Sequence, residues 1–203
     1  MHSVVRFLFG LLIVLSLVYP THAAELGKGV FQGRTIILSD DGTWRYANPE
    51  SATASGDCTT LTSEVVPFSI CLSGDSWAYT DGGGESEFFL QNKQQELYMM
   101  LITEKVFIEL SALKSAIVSN AQSVSGLTRV KVLEDEQTTV DGHPFGSIDY
   151  QTNIDGIDFS YRNLYSNFEG IGSMQLLFFS HREQFESAQA SINQAVSAVR
   201  IDN

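Results

Sequence analysis

Positive charge is scarce in this sequence. Twelve Lys and Arg residues stand against 24 Asp and Glu, a formal charge of −12 over 203 residues. A surface so acidic repels phosphate backbones, which excludes direct nucleic-acid binding, and it disfavours docking on anionic lipid. Histidine is scarcer still, with only His143 and His181 beyond residue 22. A zinc site needs three or four ligands brought together, so no metal site and no cofactor are expected. Long apolar runs are missing too: the uncharged stretch Phe7–Tyr19 has 13 residues, whereas a membrane-spanning helix needs about 20. None of the eight asparagines lies in an Asn-x-Ser/Thr acceptor, in keeping with a bacterial exported protein.

What is present starts with that same apolar stretch. A short basic start, Met1–Arg6, leads into it, and Thr21-His22-Ala23 places small residues at −3 and −1. The pattern predicts a secretory signal peptide over residues 1–23, cleaved between Ala23 and Ala24. Losing Arg6 with it leaves 11 basic against 24 acidic residues, a charge of −13. The mature chain is then expected in the periplasm or secreted, without stable membrane insertion. Only two cysteines occur, Cys58 and Cys71, thirteen positions apart. In an oxidising compartment such a lone pair predicts a disulfide. Closing the loop would stabilise by about 3 kcal/mol through the unfolded state.

Residues 24–30 show no period and are expected to be loose. Thr35–Leu38 and Thr43–Tyr46 flank Ser39-Asp40-Asp41-Gly42, the pattern of a hairpin with an Asp-Gly turn. Gly33–Trp44 resembles a short hairpin found near the start of many bacterial exported proteins. Asn48–Asp57, rich in Ser, Ala, Thr and Gly, reads as a linker. Residues 24–57 are thus expected to form a hairpin and linker, and residues 58–203 the main domain. Within it, Pro67–Leu72, Glu87–Leu90 and Leu97–Thr103 read as strands. Leu97-Tyr98-Met99-Met100-Leu101-Ile102 is apolar on both parities, which predicts a central strand covered on both faces. Phe107–Val124 has helical spacing, with Ile108, Leu110, Leu113, Ile117 and Val118 on one face and Gly126 as the C-terminal cap. Leu127–Leu133 alternates, and Glu134-Asp135-Glu136 is expected to be a solvated end.

Val140–Val199 is the best-patterned third. Val140-Asp141-Gly142 and Asn153-Ile154-Asp155-Gly156 carry turn chemistry. Phe145–Tyr150 and Ile157–Arg162 read as paired strands, and Met174–Phe179 is apolar on both parities. Ser180-His181-Arg182-Glu183 predicts a capping box, opening one helix whose stripe is Phe185, Ala188, Ile192, Val196 and Val199. Two doubly apolar strands and two amphipathic helices predict an α+β fold, a single antiparallel sheet flanked by helices on both faces and preceded by a small hairpin.

The succession of Phe68-Ser69-Ile70, Trp77, the mid-chain helix, the Val140-Asp141-Gly142 turn, the Ile157–Tyr161 strand and the last helix resembles the PsbP-like superfamily, over residues 65–201. That group includes the extrinsic photosystem protein, a Ran-binding nuclear factor, DcrB-type envelope proteins and effector-associated secretion chaperones. The resemblance implies the PsbP-like sandwich and a non-catalytic adaptor or assembly role. None of the shared patterns is a site, so it implies no site residues.

Catalytic patterns are missing from the sequence. No Gly-x-Ser-x-Gly elbow occurs. Asp81-Gly82-Gly83-Gly84 runs into Glu85-Ser86-Glu87, whose carboxylates repel phosphate. The acidic groups Asp40-Asp41, Glu134-Asp135-Glu136 and Asp155/Asp158 lack the alternating oxygen ligands of a calcium loop. The remaining enzymatic arrangement, a hydrolase-type site, would need His143 to meet Asp149 or Asp158 in a cleft. Trp77, Tyr79, Tyr98 and Trp44 are candidate binding aromatics, although aromatics on strands more often fill cores. The expected function is therefore an exported, non-catalytic adaptor or assembly module of the bacterial envelope. Its partner would be another envelope or secreted protein, met at a sheet rim, the Gly33–Tyr46 hairpin or the Trp77–Gly84 loop. The alternative is a binder of a small ligand or apolar segment, using a groove between sheet and helix near Trp77 and Tyr98.

Overall fold

The computed structural model describes residues 25–31, 34–40, 44–46, 54–55, 58–80, 83–126 and 130–202. The expected signal segment with Ala23 and Ala24 lies outside the described residues, as do the Asp41-Gly42 turn and Asp81-Gly82. Among the described residues no helix is long and apolar enough to cross a membrane. The chain divides into two units, residues 1–47 and 48–203.

In the first unit β1 (Glu25–Phe31), β2 (Arg34–Ser39) and β3 (Trp44–Tyr46) form an antiparallel sheet in that order. The expected hairpin is the β2–β3 pair. Residues expected to be loose form β1 instead, registered from Phe31 opposite Arg34 to Glu25 opposite Ser39. Hydrophobic period gives no notice of such a strand, because its warrant is the second row of peptide groups that β2 would otherwise leave unpaired. A hairpin alone is marginal in water.

The second unit opens with β4 (Ala54–Ser55), β5 (Cys58–Thr62) and β6 (Phe68–Leu72). The end of the expected linker is thus a strand paired to β5. Thr60 lies opposite Cys71 in the β5–β6 pair, which brings Cys58 to 5.6 Å from Cys71 at Cα, and the disulfide forms. A meander of β7 (Trp77–Tyr79), β8 (Phe88–Asn92) and β9 (Leu97–Glu104) follows, then helix α1 (Leu110–Ser125). Next come β10 (Lys131–Val140), β11 (His143–Ile154), β12 (Ile157–Phe168) and β13 (Gly172–His181). The chain ends with α2 (Arg182–Phe185), α3 (Gln189–Ser197) and β14 (Val199–Ile201).

Seven strands make one antiparallel sheet in the order β10-β11-β12-β13-β9-β8-β7. α1 therefore carries the chain from the middle of the sheet to its far edge, and the β10–β13 meander returns to lie beside β9. Two-residue turns set that meander. Asp141 and Gly142 have φ 49° and 81°, Asp155 and Gly156 φ 52° and 88°, the pair of positive values that a type I′ hairpin needs. Alternate residues of the sheet, Leu97, Met99 and Leu101 of β9 and Met174, Leu176 and Phe178 of β13, are at most 1 % exposed. They share a core with Phe68 and Ile70 of β6, Phe185, Ala188, Ile192 and Val199. Burying each large side chain contributes about 1.5–3 kcal/mol. On the other face Leu113 and Ile117 of α1 pack on Ile148, Tyr150 and Tyr165. Gly126, at φ 63°, ends α1 in the left-handed conformation.

Three further features differ from the sequence expectations. The unit has two sheets rather than one: β14-β6-β5-β4 form a separate four-stranded antiparallel sheet, which shares the larger core with α2 and α3. The helix after β13 is broken. Ser180 donates its hydroxyl to the His181 carbonyl instead of capping, and a Gln189 N–H to Glu186 O bond inserts a tightened step between α2 and α3. Val199 then leaves the helical stripe to pair with Ile70 at the edge of β6, because an unpaired strand edge there would bury unsatisfied peptide groups. Finally, Glu134-Asp135-Glu136 is not an end but the middle of β10, whose residues Lys131–Gln137 are all exposed on the sheet rim.

Candidate functional site

Strands lie about 4.8 Å apart and a helix is about 10 Å across, so one helix cannot cover seven strands. α1 contacts β11 and β12 and leaves the same face of β13, β9 and β8 open. Register assigns the side chains to rows. One row runs Tyr150, Tyr161, Phe179, Tyr98, and the next runs Ile148, Asn163, Leu177, Met100, Phe89. The members under α1 are buried, whereas Tyr161, Leu177, Phe179, Tyr98, Met100 and Phe89 are only half-buried. The space between this apolar surface and α1 is a groove of about 650 Å³, bordered on the helix side by Ile117, Asn120, Ala121 and Val124.

Aromatic rings pave the face. Tyr150 and Tyr161 stack at 4.7 Å, Tyr161 and Phe179 at 5.7 Å, and Tyr98 and Phe179 at 5.2 Å, with Phe89 5.8 Å from Tyr98. The series crosses five strands and joins the covered half of the sheet to the open half. Each offset-stacked pair adds about 0.5–1.5 kcal/mol beyond burial, so the surface is pre-formed.

Few polar groups interrupt it. Asn163 is 1 % exposed. Its amide N–H donates to Gln175 Oε1 at 2.9 Å, and its Oδ1 has no partner among the described residues. The buried Ser86 Oγ has none either. Thr152 donates its hydroxyl to the Tyr161 oxygen at 3.3 Å. Burial, reinforced by the neighbouring Tyr161, pushes the Tyr150 phenol well above its ordinary range against an opposing hydrogen bond from Asn163. Burial raises Tyr161 as well. Both rings are therefore neutral at physiological pH. Among the described residues Glu85 and Glu104 are the only charged ones lining the groove, and no Lys, Arg or His does.

The candidate aromatics distribute unevenly. Tyr98 stands in the aromatic series beside the groove. Trp77 is 8 % exposed, pairs across from Asn92 and belongs to the core between the two sheets, away from the groove. Tyr79 is 39 % exposed on the short edge strand β7, and the Trp44 side chain lies outside the described residues. Of the irregular segments, Gly83 and Gly84 border the groove. The groove otherwise belongs to Glu85 and Ser86 before β8, to α1 and to regular strands. Tyr161, Leu177 and Phe179 are legible as strand residues but not as a site, and Asn163 lies just past the strand that the pattern predicts. The available signal was a surplus: apolar residues on both parities of β9 and β13, with one helix to cover them.

The hydrolase-type arrangement does not assemble. Asp149 is held by Arg162 in a two-pronged pair at 2.9 and 2.7 Å, and Asp158 is bound by Arg182 at 2.8 Å and by Asn153. His143 stacks on Phe168 at 4.5 Å and meets Ser166 Oγ at 2.9 Å. Ser166 donates its proton to the Pro144 carbonyl, so His143 Nε2 must carry the hydrogen in that contact. An imidazole donating to the hydroxyl is not placed to act as its base.

Neither a family model nor a curated protein matches the sequence. Solved structures match at low identity. The solution structure of cyanobacterial PsbP (CyanoP) from Synechocystis sp. PCC 6803 aligns with a TM-score of 0.55 at 8% identity, covering 73% of this chain and 95% of that one. A crystal structure from Bacteroides thetaiotaomicron aligns with a TM-score of 0.50 at 11% identity, covering 73% of this chain and 50% of that one. LpqN, involved in cell envelope biogenesis of Mycobacterium tuberculosis, aligns with a TM-score of 0.45 at 10% identity, covering 74% and 87%. The fold is PsbP-like, as the order of elements in the sequence implies.

Proposed function

We propose that this chain is an exported, non-catalytic module of the cell envelope that works by binding, and that the groove between α1 and the open half of the seven-stranded sheet is its binding surface. The occupant is a small apolar molecule or an apolar segment of a partner protein. One observation carries this reading: Tyr161, Leu177, Phe179, Met100 and Ile102 form a continuous apolar lining that the fold itself leaves half-covered. A concave apolar site of about 650 Å³ with a few convergent polar groups has the size and character of ligand pockets, which span about 300–1,000 Å³. Export is supported by the signal-like start of the sequence and by the Cys58–Cys71 disulfide, which persists in oxidising compartments.

The test uses N-phenyl-1-naphthylamine, an uncharged apolar dye that brightens when it leaves water. The mature chain should bind it saturably. Ala121→Trp, which replaces a half-buried side chain on the helix border of the groove with an indole, should weaken binding by at least about tenfold, or about 1.4 kcal/mol, with the fold of the variant checked by circular dichroism. Absence of saturable binding, or full binding by a folded Ala121→Trp variant, would rule out the groove.

A further inference from the structure

We infer that the groove selects amphiphiles with a cationic head, seated at its Glu85–Glu104 end with the apolar part over Tyr161 and Phe179, and that it discriminates against anionic ones. This rests on the groove being the binding surface and adds the chemistry of what it holds.

The groove has two unlike ends, and strand register defines them. Phe88 lies opposite Leu101, and the Glu87 N–H donates to the Leu101 carbonyl. Residues just before Phe88 therefore run beside the last residues of β9, which stay paired to β13 as far as Glu104 opposite Ser173, and Glu85, Ser86 and Glu104 all line this end of the groove. Gln175, opposite Ile102, belongs to the same end. At the other end Phe179 lies opposite Tyr161 on one side and Tyr98 on the other, and Thr152 and Ile154 complete an aromatic and aliphatic lining. One end is acidic and the other apolar, as an amphiphile requires.

The sign of the head follows from the donor and acceptor inventory. Among the described residues the charged lining groups are both carboxylates, and none of the lining residues is a cation that would receive an anion. Lys105, next in sequence to Glu104, is outside the lining. Glu87 is already engaged by the Ser63 and Thr103 hydroxyls, so Glu85 and Glu104 are the carboxylates available to a ligand. The buried Asn163 Oδ1, which can only accept, is unpartnered and is destabilising until a donor arrives, and the buried Ser86 hydroxyl of the same lining is unpartnered as well. A carboxylate or sulfate head brings only more acceptors, whereas an ammonium or guanidinium head brings donors and the complementary charge. The volume of about 650 Å³ suits one small molecule rather than a folded partner.

Displacement of bound N-phenyl-1-naphthylamine by three twelve-carbon amphiphiles below their micellar concentrations separates the possibilities. Dodecylammonium, a primary ammonium with three N–H donors, should act at concentrations about three- to tenfold lower than dodecyl maltoside, as expected for two rim carboxylates in high dielectric, and laurate should be weakest. Glu85→Gln with Glu104→Gln should erase the preference for the ammonium while leaving the maltoside unchanged. Glu134→Gln with Glu136→Gln removes the same charge from the β10 rim and should leave the preference intact, which separates the site from the overall acidity. Equal displacement by all three amphiphiles would overturn the charge selectivity and leave the groove standing. So would a preference that survives the first double variant or disappears in the second. A chain that binds neither the dye nor any amphiphile would overturn the groove and the selectivity together.

Discussion

Gly146 lies directly across from Tyr165 in the β11–β12 pair, and a Cβ built there would run into the Tyr165 ring. The ring occupies the space that a side chain at 146 would need, and at 1 % exposure it has nowhere to retreat beneath α1. Gly146→Ala should therefore cost about 2–3 kcal/mol, the penalty of overpacking a filled core, measured by urea unfolding; an unchanged midpoint would contradict the packing. The tyrosines of the same face give a pH signature. Burial raises Tyr150, Tyr161 and Tyr165 above the ordinary phenol value. Below about pH 10 both folded and unfolded chains keep these protons, and the stabilisation is fully present. Above it the unfolded chain gives up protons that the folded chain retains, so stability falls as pH rises toward the raised folded values. Denaturant unfolding from pH 8 to 11 should show that decline, and Tyr150→Phe should flatten it.

Among the elements, those specified by local chemistry were legible in the sequence. The two Asp-Gly turns at 141–142 and 155–156 with their positive φ, the alternation of β12, and the α1 stripe ending at Gly126 each need only neighbouring residues to be specified. The elements set by distant partners were not legible. β1 exists because β2 has a free edge, and β14 because β6 has one; nothing within Glu25–Phe31 or Val199–Ile201 announces either. The break between α2 and α3 has the same origin, since the chain must swing Val199 into the smaller sheet. Half the site is visible in the sequence. β9 and β13 are apolar on both parities, and the rule that parallel sheets obey predicts cover on both faces. The cover stops at β12 because the meander spends its one helix reaching the far edge. The smaller sheet supplies its own prediction. Cys58–Cys71 ties β5 to β6, so Cys58→Ser with Cys71→Ser should lower stability by about 3 kcal/mol, with the fold retained by far-ultraviolet circular dichroism. A thermal midpoint unmoved by the double substitution would mean that the bridge does not form in solution.

At the scale of the molecule, the sandwich divides its labour between faces. One face of the seven-stranded sheet is sealed by the smaller sheet with α2 and α3 and supplies the larger core. The other carries α1 on a smaller core and exposes the rest of an aromatic surface. A folded chain gains nothing from an apolar surface left half in water, and large ones of this kind mark binding sites. The net charge of −12 opposes self-association through it. The most direct measurement is a nitrogen–proton correlation spectrum of the mature chain titrated with N-phenyl-1-naphthylamine. The expected shifts fall on residues 100–104, 117–124, 161–163 and 175–179, the two walls of the groove, and grow together along one saturating curve. Shifts gathered on the β10 rim or in residues 25–46, with the groove silent, would contradict it.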